Sequence, residues 1–375
     1  TRTYNIITAT GGVTGQFATV DINLNYLTPT LAYAANDVTM TLARRTQDIQ
    51  REIVSETSDQ QTSVAARKTA QTIDARIDDA VTASLINLDA VTTPSGNGGE
   101  RNNQGGQANA GGVVSKSAGD DMAGWGVWAT VTPTFLDQSL VLPNRATPQK
   151  VDGTVWDLFV GADKVIGSKA VAGMFAGYED SNFDLDASGG ERSATGPMIG
   201  AYTGVVFTNW LYASAQANHV WFDNELSEAS FGGQPVRGEF DSRRYAVSTG
   251  LTAHRVNRNN VRVQGKISYS YTKEKFSAYR ASDGANVAAF KSRLGRLTLS
   301  TEMAYLNETF TPYFTAAFER DVQAPSGGGD ELGGVLGLGG RYLSGALSID
   351  FYGNFEVGRA AEKAATLGLN ARFAF

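Results

Sequence analysis

Cysteine is absent from the 375-residue chain, and histidine occurs only twice. The lack of cysteine excludes a disulfide scaffold, a thiolate-ligated metal site and a thiol nucleophile. Two histidines are too few for a histidine-rich metal site, so we predict no metal and no other cofactor. The formal charge of −6 gives no basic footprint, which argues against nucleic acid as a partner.

Long hydrophobic runs are also missing. No stretch approaches the roughly 18 uninterrupted apolar residues of a membrane helix. This excludes a helical membrane protein, whereas a membrane β-barrel leaves no such run because its strands alternate apolar and polar residues. With 42% hydrophobic and 19% charged residues, the chain is too apolar to be disordered.

Glycine, proline and aromatic residues are distributed unevenly. Glycine is absent from Gln16 to Ser95, and proline from Thr30 to Thr93, which permits a long helix. Only 4 of the 37 aromatic residues precede residue 121. The chain therefore divides into segments 1–44, 45–120 and 121–375.

Segment 1–44 has the pattern of short strands separated by turns. Gly11-Gly12 and Asn36-Asp37 are turn pairs between β-prone runs. A segment of this size buries little core by itself, so we predict that it is the last part of a longer β-rich structure. It starts within a strand pattern and without a signal peptide, so we expect the natural chain to begin earlier.

Segment 45–120 is predicted to contain one helix and a linker. Ser58 and Gln61 fit a capping box, and the helical composition extends over about 59–88. The helix is polar on all sides, which is typical of a solvated helix or of one in a polar cavity. Its central charges are Arg67, Lys68, Asp74, Arg76 and Asp78. Residues 92–120 form a linker rich in glycine and asparagine.

Segment 121–375 alternates apolar and polar residues for about ten residues at a time, which matches the strands of a membrane barrel. A soluble β-sandwich also alternates, but its strands are usually shorter. Tight turns also alternate with long polar stretches, as in an outer-membrane barrel. Twelve strands are predicted, near 124–132, 151–165, 169–178, 197–207, 210–222, 240–255, 260–272, 292–306, 310–320, 333–343, 345–357 and 363–375. The fourth strand would begin at Pro197, where proline is tolerated.

We therefore predict an all-β membrane protein, a 12-stranded antiparallel outer-membrane β-barrel with an α-helix through its lumen. A barrel with more than eight strands has room for a helix of roughly 10 Å diameter. The even strand number returns both barrel ends to one side, the periplasm. The helix charges would then face the wet inner wall.

Other polar and aromatic residues have structural interpretations. Trp125, Trp128, Trp156, Trp210 and Trp221 lie near predicted strand ends and are predicted to form interfacial girdles. His219 and His254 are predicted wall positions, and no catalytic residue is assigned. Asp184, Asp186, Ser188 and Gly189 match only half of a calcium loop, because Thr195 replaces the required glutamate.

Several motifs in this order resemble the C-terminal translocator of monomeric autotransporters, the type V secretion proteins of Gram-negative bacteria. Segment 1–44 resembles the end of a β-helical passenger and its junction. SDQQTSVAARKTAQTIDA resembles the family's linker helix, and FTPYFTAAFE resembles a late-strand motif. The final strand, TLGLNARFAF, resembles the signal read by the barrel-assembly machinery, with Leu367, Leu369, Phe373 and Phe375 in alternation. Some relatives cleave themselves at an asparagine pair in the linker helix; the pairs here, Asn102-Asn103 and Asn259-Asn260, lie elsewhere.

The resemblance implies an outer-membrane translocator that anchors in the membrane and enables export and surface display of its own N-terminal passenger. The implied partners are outer-membrane lipid and lipopolysaccharide, the barrel-assembly machinery, periplasmic chaperones and the passenger. The barrel itself would not be an enzyme. Two alternatives remain at this stage: a porin-like channel, and the membrane anchor of an upstream surface adhesin or enzyme.

Overall fold

The computed structural model describes residues 2–19, 27–44, 46–92, 124–140, 149–167, 169–185, 190–228, 235–323, 332–359 and 362–375. Within these ranges the chain forms one long helix and seventeen strands. The elements are β1 (Arg2–Thr8), β2 (Leu27–Tyr33), β3 (Asp37–Arg44), α1 (Thr46–Thr92), β4 (Trp125–Leu140), β5 (Gln149–Ile166), β6 (Ala170–Leu185), β7 (Gly190–Thr208), β8 (Leu211–Glu228), β9 (Val236–Val256), β10 (Val261–Phe276), β11 (Tyr279–Arg280), β12 (Asn286–Val287), β13 (Phe290–Tyr305), β14 (Phe310–Gln323), β15 (Leu332–Ser344), β16 (Leu347–Val357) and β17 (Glu362–Ala374).

Strands β4–β10 and β13–β17 form a closed antiparallel barrel in which each strand pairs with its neighbours. The predicted twelve-stranded barrel is thereby confirmed. Its first and last strands close the ring, and the Phe375 amide donates to the Trp125 carbonyl at 2.9 Å. Both barrel termini therefore lie at the end with the short turns, which we call the short-turn end; the opposite end is the long-loop end.

Ten of the twelve barrel strands are longer than the sequence pattern predicted, the exceptions being β16 and β17. They contain 11 to 21 residues, and much of the predicted long stretches 133–150, 179–196 and 223–243 is paired strand. The prediction that β7 begins at Pro197 is wrong, because this strand begins at Gly190. Ladder pairs on both sides hold the strand beyond the proline, although pairing with β8 skips Gly196 and Pro197.

The N-terminal strands form a separate three-stranded sheet in the order β1-β3-β2. Both pairings are antiparallel, whereas the rungs of a β-helix pair in parallel. Over the described residues, the predicted β-helix rungs are thus corrected to a small antiparallel sheet with β3 in the centre. Its assignment to the end of a passenger stays a prediction.

Helix α1 runs from Thr46 to Thr92 and is longer at both ends than the predicted 59–88. At about 1.5 Å per residue it measures roughly 70 Å. Its side chains contact barrel strands on several sides of the lumen, including β5, β7, β10 and β13. Within the described residues, no helix combines the length and hydropathy needed to cross a bilayer. The linker was predicted at 92–120; Thr92 belongs to α1, and residues 93–120 lie outside the described residues.

Four of the five tryptophans lie on the outer face of the barrel, and the fifth points into the lumen. Trp125 and Trp210 lie near the short turns and are exposed, as are Trp156 and Trp221 farther along their strands. Trp128 is only 4% exposed and points into the lumen, where its indole nitrogen donates to the Tyr202 hydroxyl at 2.8 Å. The girdle prediction is therefore wrong for Trp128, because the alternation of β4 places it on the inner face.

Candidate functional site

The contact surface between α1 and the inner wall is the candidate functional site. Near the middle of the lumen, Arg67 donates two hydrogen bonds to Glu319, at 3.0 and 2.9 Å, and also pairs with Glu356. The ammonium of Lys68 lies 2.6 Å from Asp157 and donates to the Val155 carbonyl at 3.0 Å. Adjacent helix residues thus bind walls on opposite sides of the barrel.

A second layer of polar contacts lies closer to the short-turn end. Arg76 is fully buried and lies 2.5 Å from the carboxylate of Asp163. Asp74 pairs with Lys266. Asp78 accepts a hydrogen bond from Gln264 at 2.6 Å and another from Tyr212. All five charged helix residues singled out in the sequence therefore contact the inner wall, four of them through ion pairs.

A third layer lies toward the long-loop end. Gln61 donates to Glu179 at 2.9 Å, and Glu179 also pairs with Arg244. Above it, Arg192 donates to the Thr57 hydroxyl at 3.1 Å and to Asn224 at 2.7 Å. These contacts hold the N-terminal half of the helix against β6–β9.

Apolar contacts anchor the helix at both ends of the lumen. Ile73, Ile77 and Val81 pack in one cluster, with Trp128, Phe159, Val171, Phe175, Tyr202, Val206 and Tyr212 among its wall members. Ile53, Val54 and Val64 pack in a second cluster, with Leu136, Val151, Val155, Phe183, Leu185, Leu226, Phe240 and Phe276. The weak apolar stripe of the sequence is thus divided into two short patches, each matched to apolar wall residues.

The direction of the helix follows from these clusters. Ile53 and Val54 share a cluster with Leu185 and Leu226, which lie at or near the long-loop ends of β6 and β8. Ile77 and Val81 share one with Val171 and Val206, which lie beside short turns. The N-terminal part of α1 therefore lies at the long-loop end and its C-terminal part at the short-turn end.

The helix leaves little free space in the described lumen. A cavity of about 160 Å³ remains between α1 and the wall of β10 and β13–β16. A cavity needs about 10–15 Å³ of such space to hold one water, so this one admits a small cluster of waters. Asp74, Asp78, Lys266, Glu302 and Arg341 are among its lining residues. The helix therefore occupies the channel and leaves one small cavity lined by polar side chains.

The charge pairs of the lumen make the helix position specific. A buried ion pair gives little net stability because its charges must leave water, but removing one partner costs about 3–5 kcal/mol. A helix displaced along the lumen would separate several such pairs at once. Within the described ranges, no group of three or more histidine or acidic side chains is placed to hold a metal ion.

The predicted assembly signal lies on the outer face of the last strand. Leu367, Leu369 and Phe373 are 50%, 49% and 44% exposed, and the Phe375 ring packs edge-on against Phe373 at 5.0 Å between centroids. These side chains form an apolar ridge along β17. Their role in assembly stays a prediction.

The remaining sequence candidates lie away from the lumen site. His219 lies on the outer face, with its ring 4.0 Å from Trp221 and 4.1 Å from Tyr245 between centroids. The Asn259-Asn260 pair forms a short turn, with Asn260 at φ 58°. Asn102-Asn103 lies outside the described residues, as do Asp186, Ser188 and Gly189 of the half calcium loop.

Sequence reasoning missed the wall partners of the helix. Asp157, Asp163, Glu179, Tyr212, Lys266 and Glu319 occupy inward positions of their strands. One signal in the sequence could have found them. Asp157 and Asp163 are charged residues at alternate positions of β5 that are otherwise occupied by apolar residues or glycine. Which helix charge each would meet depends on the barrel radius and the helix rotation, and neither is visible in the sequence.

The fold and the site together define a closed membrane-type barrel whose lumen is occupied by a helix from the same chain. A family model of the autotransporter β-domain matches residues 127–372. The chain therefore belongs to the autotransporter β-domain family, and it is an outer-membrane translocator that serves passenger export. The porin-like alternative is not favoured.

Solved structures with the same fold include three autotransporter barrels. The translocator domain of NalP from Neisseria meningitidis superposes with a TM-score of 0.59 at 14% identity, covering 84% of this chain and 98% of that one. The β domain of the Bordetella autotransporter BrkA gives 0.56 at 20% identity, covering 67% and 100%. The transport unit of AIDA-I from Escherichia coli gives 0.55 at 13%, covering 66% and 90%. No curated protein matches the chain in sequence.

Proposed function

We propose that α1 is the tether that joins a passenger at the cell surface to the barrel, and that it plugs the lumen after export. The observation that carries this proposal is the direction of α1. Its N-terminal part lies at the long-loop end, and long loops face the exterior in outer-membrane barrels. Segment 1–44, which precedes α1, would then lie outside the cell.

The electrostatics of the lumen support a resident helix. Arg67, Lys68 and Arg76 would be costly to bury alone, and each has a carboxylate partner on the wall. If the helix left, the Asp157 carboxylate would lose the ammonium of Lys68. Glu319 and Asp163 would keep only wall arginines, at 3.3 to 3.5 Å. Helix and wall are therefore complementary to each other, and a water-filled channel would not need this pairing.

The barrel serves transport, and we assign no catalytic step to it. Any enzymatic or adhesive activity would belong to a passenger upstream of α1. Assembly would depend on the barrel-assembly machinery and on periplasmic chaperones that hold the unfolded chain. The outer face would contact phospholipid in one leaflet and lipopolysaccharide in the other.

The orientation can be tested by labelling single cysteines on intact cells, because the chain has no native cysteine. Thr30→Cys in the N-terminal sheet should react with a membrane-impermeant maleimide. Asp283→Cys, in the loop between β11 and β12, is the matched exterior control. Arg258→Cys, in a short turn, should react only after the outer membrane is permeabilised. Labelling of Arg258→Cys but not of Thr30→Cys on intact cells would contradict the proposal.

The plug can be tested by planar-bilayer conductance. The full chain should conduct poorly because α1 fills the described lumen, leaving the small cavity of about 160 Å³. Deleting residues 46–92 should open a steady current that is several times larger. Equal conductance of the two proteins, with both shown to be folded by heat-modifiable gel migration, would exclude α1 as the plug.

A further inference from the structure

A cluster of five cations lies on the outer face of three neighbouring strands, and we call it the basic patch. Arg243 of β9, Lys275 of β10 and Lys291 of β13 are direct neighbours across the strands. One step toward the short-turn end, Lys273 lies directly opposite Arg293. Facing residues of an antiparallel pair have Cα atoms about 5 Å apart, so the five charges share a small surface.

The cations of the patch have no acidic partners among the described residues. None of the five forms an ion pair there, whereas lumen cations such as Arg67, Lys68 and Arg76 each contact a carboxylate. Lys275 contacts the Tyr245 ring at 5.8 Å. The patch therefore carries a concentrated positive charge open to an external anion.

The patch lies just beyond the apolar band of the barrel. Trp156 and Trp221 are roughly ten residues from the short-turn ends of their strands, which corresponds to about 25 Å of height for a strand tilt near 40°. The five cations lie about 12 to 14 residues from the short-turn ends of their strands, or roughly 5 to 10 Å higher. Tyr245 lies directly opposite Lys273, and Tyr271 and Tyr269 lie below the patch on the outer face. This height is that of lipid headgroups at the long-loop end.

Charge around the barrel at this height is segregated. On the outer face of β5–β9, acidic residues outnumber basic ones. The acidic residues are Asp152, Asp180, Asp184, Glu191, Asp223, Glu225, Glu239 and Asp241, and the basic ones are Lys150, Arg237 and Arg243. Strands β10 and β13 are basic at the same distance from the membrane. A general surface adaptation for solubility would mix both signs around the ring. A localised basic field instead favours a ligand with several negative charges.

We propose that the basic patch binds the phosphate groups of a phosphorylated glycolipid of the outer leaflet, of the lipopolysaccharide type. Arg side chains bind phosphate through two parallel hydrogen bonds, and Lys side chains act as point charges. The apolar band below the patch would receive the acyl chains of the same molecule. The placement rests on the proposed orientation, with the long-loop end outside.

Binding can be measured on the full chain in detergent with purified bisphosphorylated lipid A as the probe. The test variant is K273Q/K275Q/K291Q/R293Q. The matched control, K164Q/K169Q/R255Q/R258Q, removes the same charge from exposed positions near the short-turn end. We expect the test variant to bind at least about tenfold more weakly, and the control to stay within about twofold of wild type. The affinity of the wild type should also fall as salt concentration rises.

Dephosphorylated lipid A serves as a second probe that needs no substitution. Wild type should bind it at least about tenfold more weakly than the bisphosphorylated form, because the cations then have no anionic partner. Equal affinity for the two lipids, or equal loss in the test and control variants, would overturn the proposal. Surface labelling of Thr30→Cys in the test-variant background is a separate readout: its retention would leave the export orientation intact whatever the lipid result.

Discussion

At the scale of single residues, the lumen is organised by complementary charge. Lys68 and Asp157 are 2% and 3% exposed, with their charged atoms 2.6 Å apart. In such a setting each charge is tolerated because the other is present. Register along the lumen is therefore specified by polar pairs, while the two apolar clusters supply non-directional attraction.

A double-mutant cycle on this pair tests the idea. Lys68→Met should lower the free energy of unfolding by about 3–5 kcal/mol, because it leaves the Asp157 carboxylate buried without its cation. Asp157→Asn should also destabilise the protein. The combined K68M/D157N protein should be more stable than the sum of the single effects implies, measured by urea unfolding in detergent. Additive effects would mean that the two side chains act independently.

At the scale of elements, small residues on the wall make room for the helix. A Cβ added at Gly204 of β7 would lie 2.5 Å from the Cγ2 atom of Ile77 and 3.1 Å from a methyl carbon of Val171. The close approach of α1 to β7 therefore depends on glycine at this position.

Proline affects strand pairing, because it has no backbone N–H to donate. The pairing of β17 with β4 skips the residues opposite Thr132 and Pro133.

Gly204→Val should therefore weaken helix packing. We expect a loss of about 1–3 kcal/mol in unfolding free energy, typical of overpacking in a filled interior. Gly265→Val is the matched control, because a Cβ on Gly265 meets no atom within 4 Å. Thermal unfolding followed by gel migration compares the two. Equal stability of both variants would show that α1 does not approach β7 this closely.

At the scale of the whole molecule, barrel closure joins β17 to β4 beside the chain terminus. The Gly124 amide donates a hydrogen bond to the Phe375 carbonyl at 3.3 Å. This bond lies next to the hydrogen bond that the Phe375 amide donates to the Trp125 carbonyl. The last residue therefore contributes to closure as well as to the apolar ridge of β17. Both roles require its backbone, but only the ridge requires its aromatic ring.

Phe375→Ser separates these roles, because it removes the ring and keeps the backbone. We expect a lower yield of folded barrel in the outer membrane, measured by quantitative blotting of membrane fractions. Ala374→Ser is the control, since Ala374 is buried on the inner face. Comparable yields of the two variants would count against an assembly signal that ends at Phe375.

The sequence by itself determined the barrel, its strand number and the existence of a polar helix. Alternation with period two, tight turns and a glycine-free helical stretch are local patterns. They can be recognised in the sequence without knowledge of the tertiary structure. Strand ends were predicted poorly because strands beyond the membrane keep pairing even where their outer faces become polar. β7, for example, continues to Gly190, well past Pro197.

Only the tertiary structure decided which charges meet. The facing of Arg76 and Asp163 depends on barrel radius and helix rotation, and the inward position of Trp128 depends on the strand register. The basic patch likewise arises because β9, β10 and β13 become neighbours in a particular register. These features join residues far apart in the chain, and their positions are set by ring closure, which no local pattern contains.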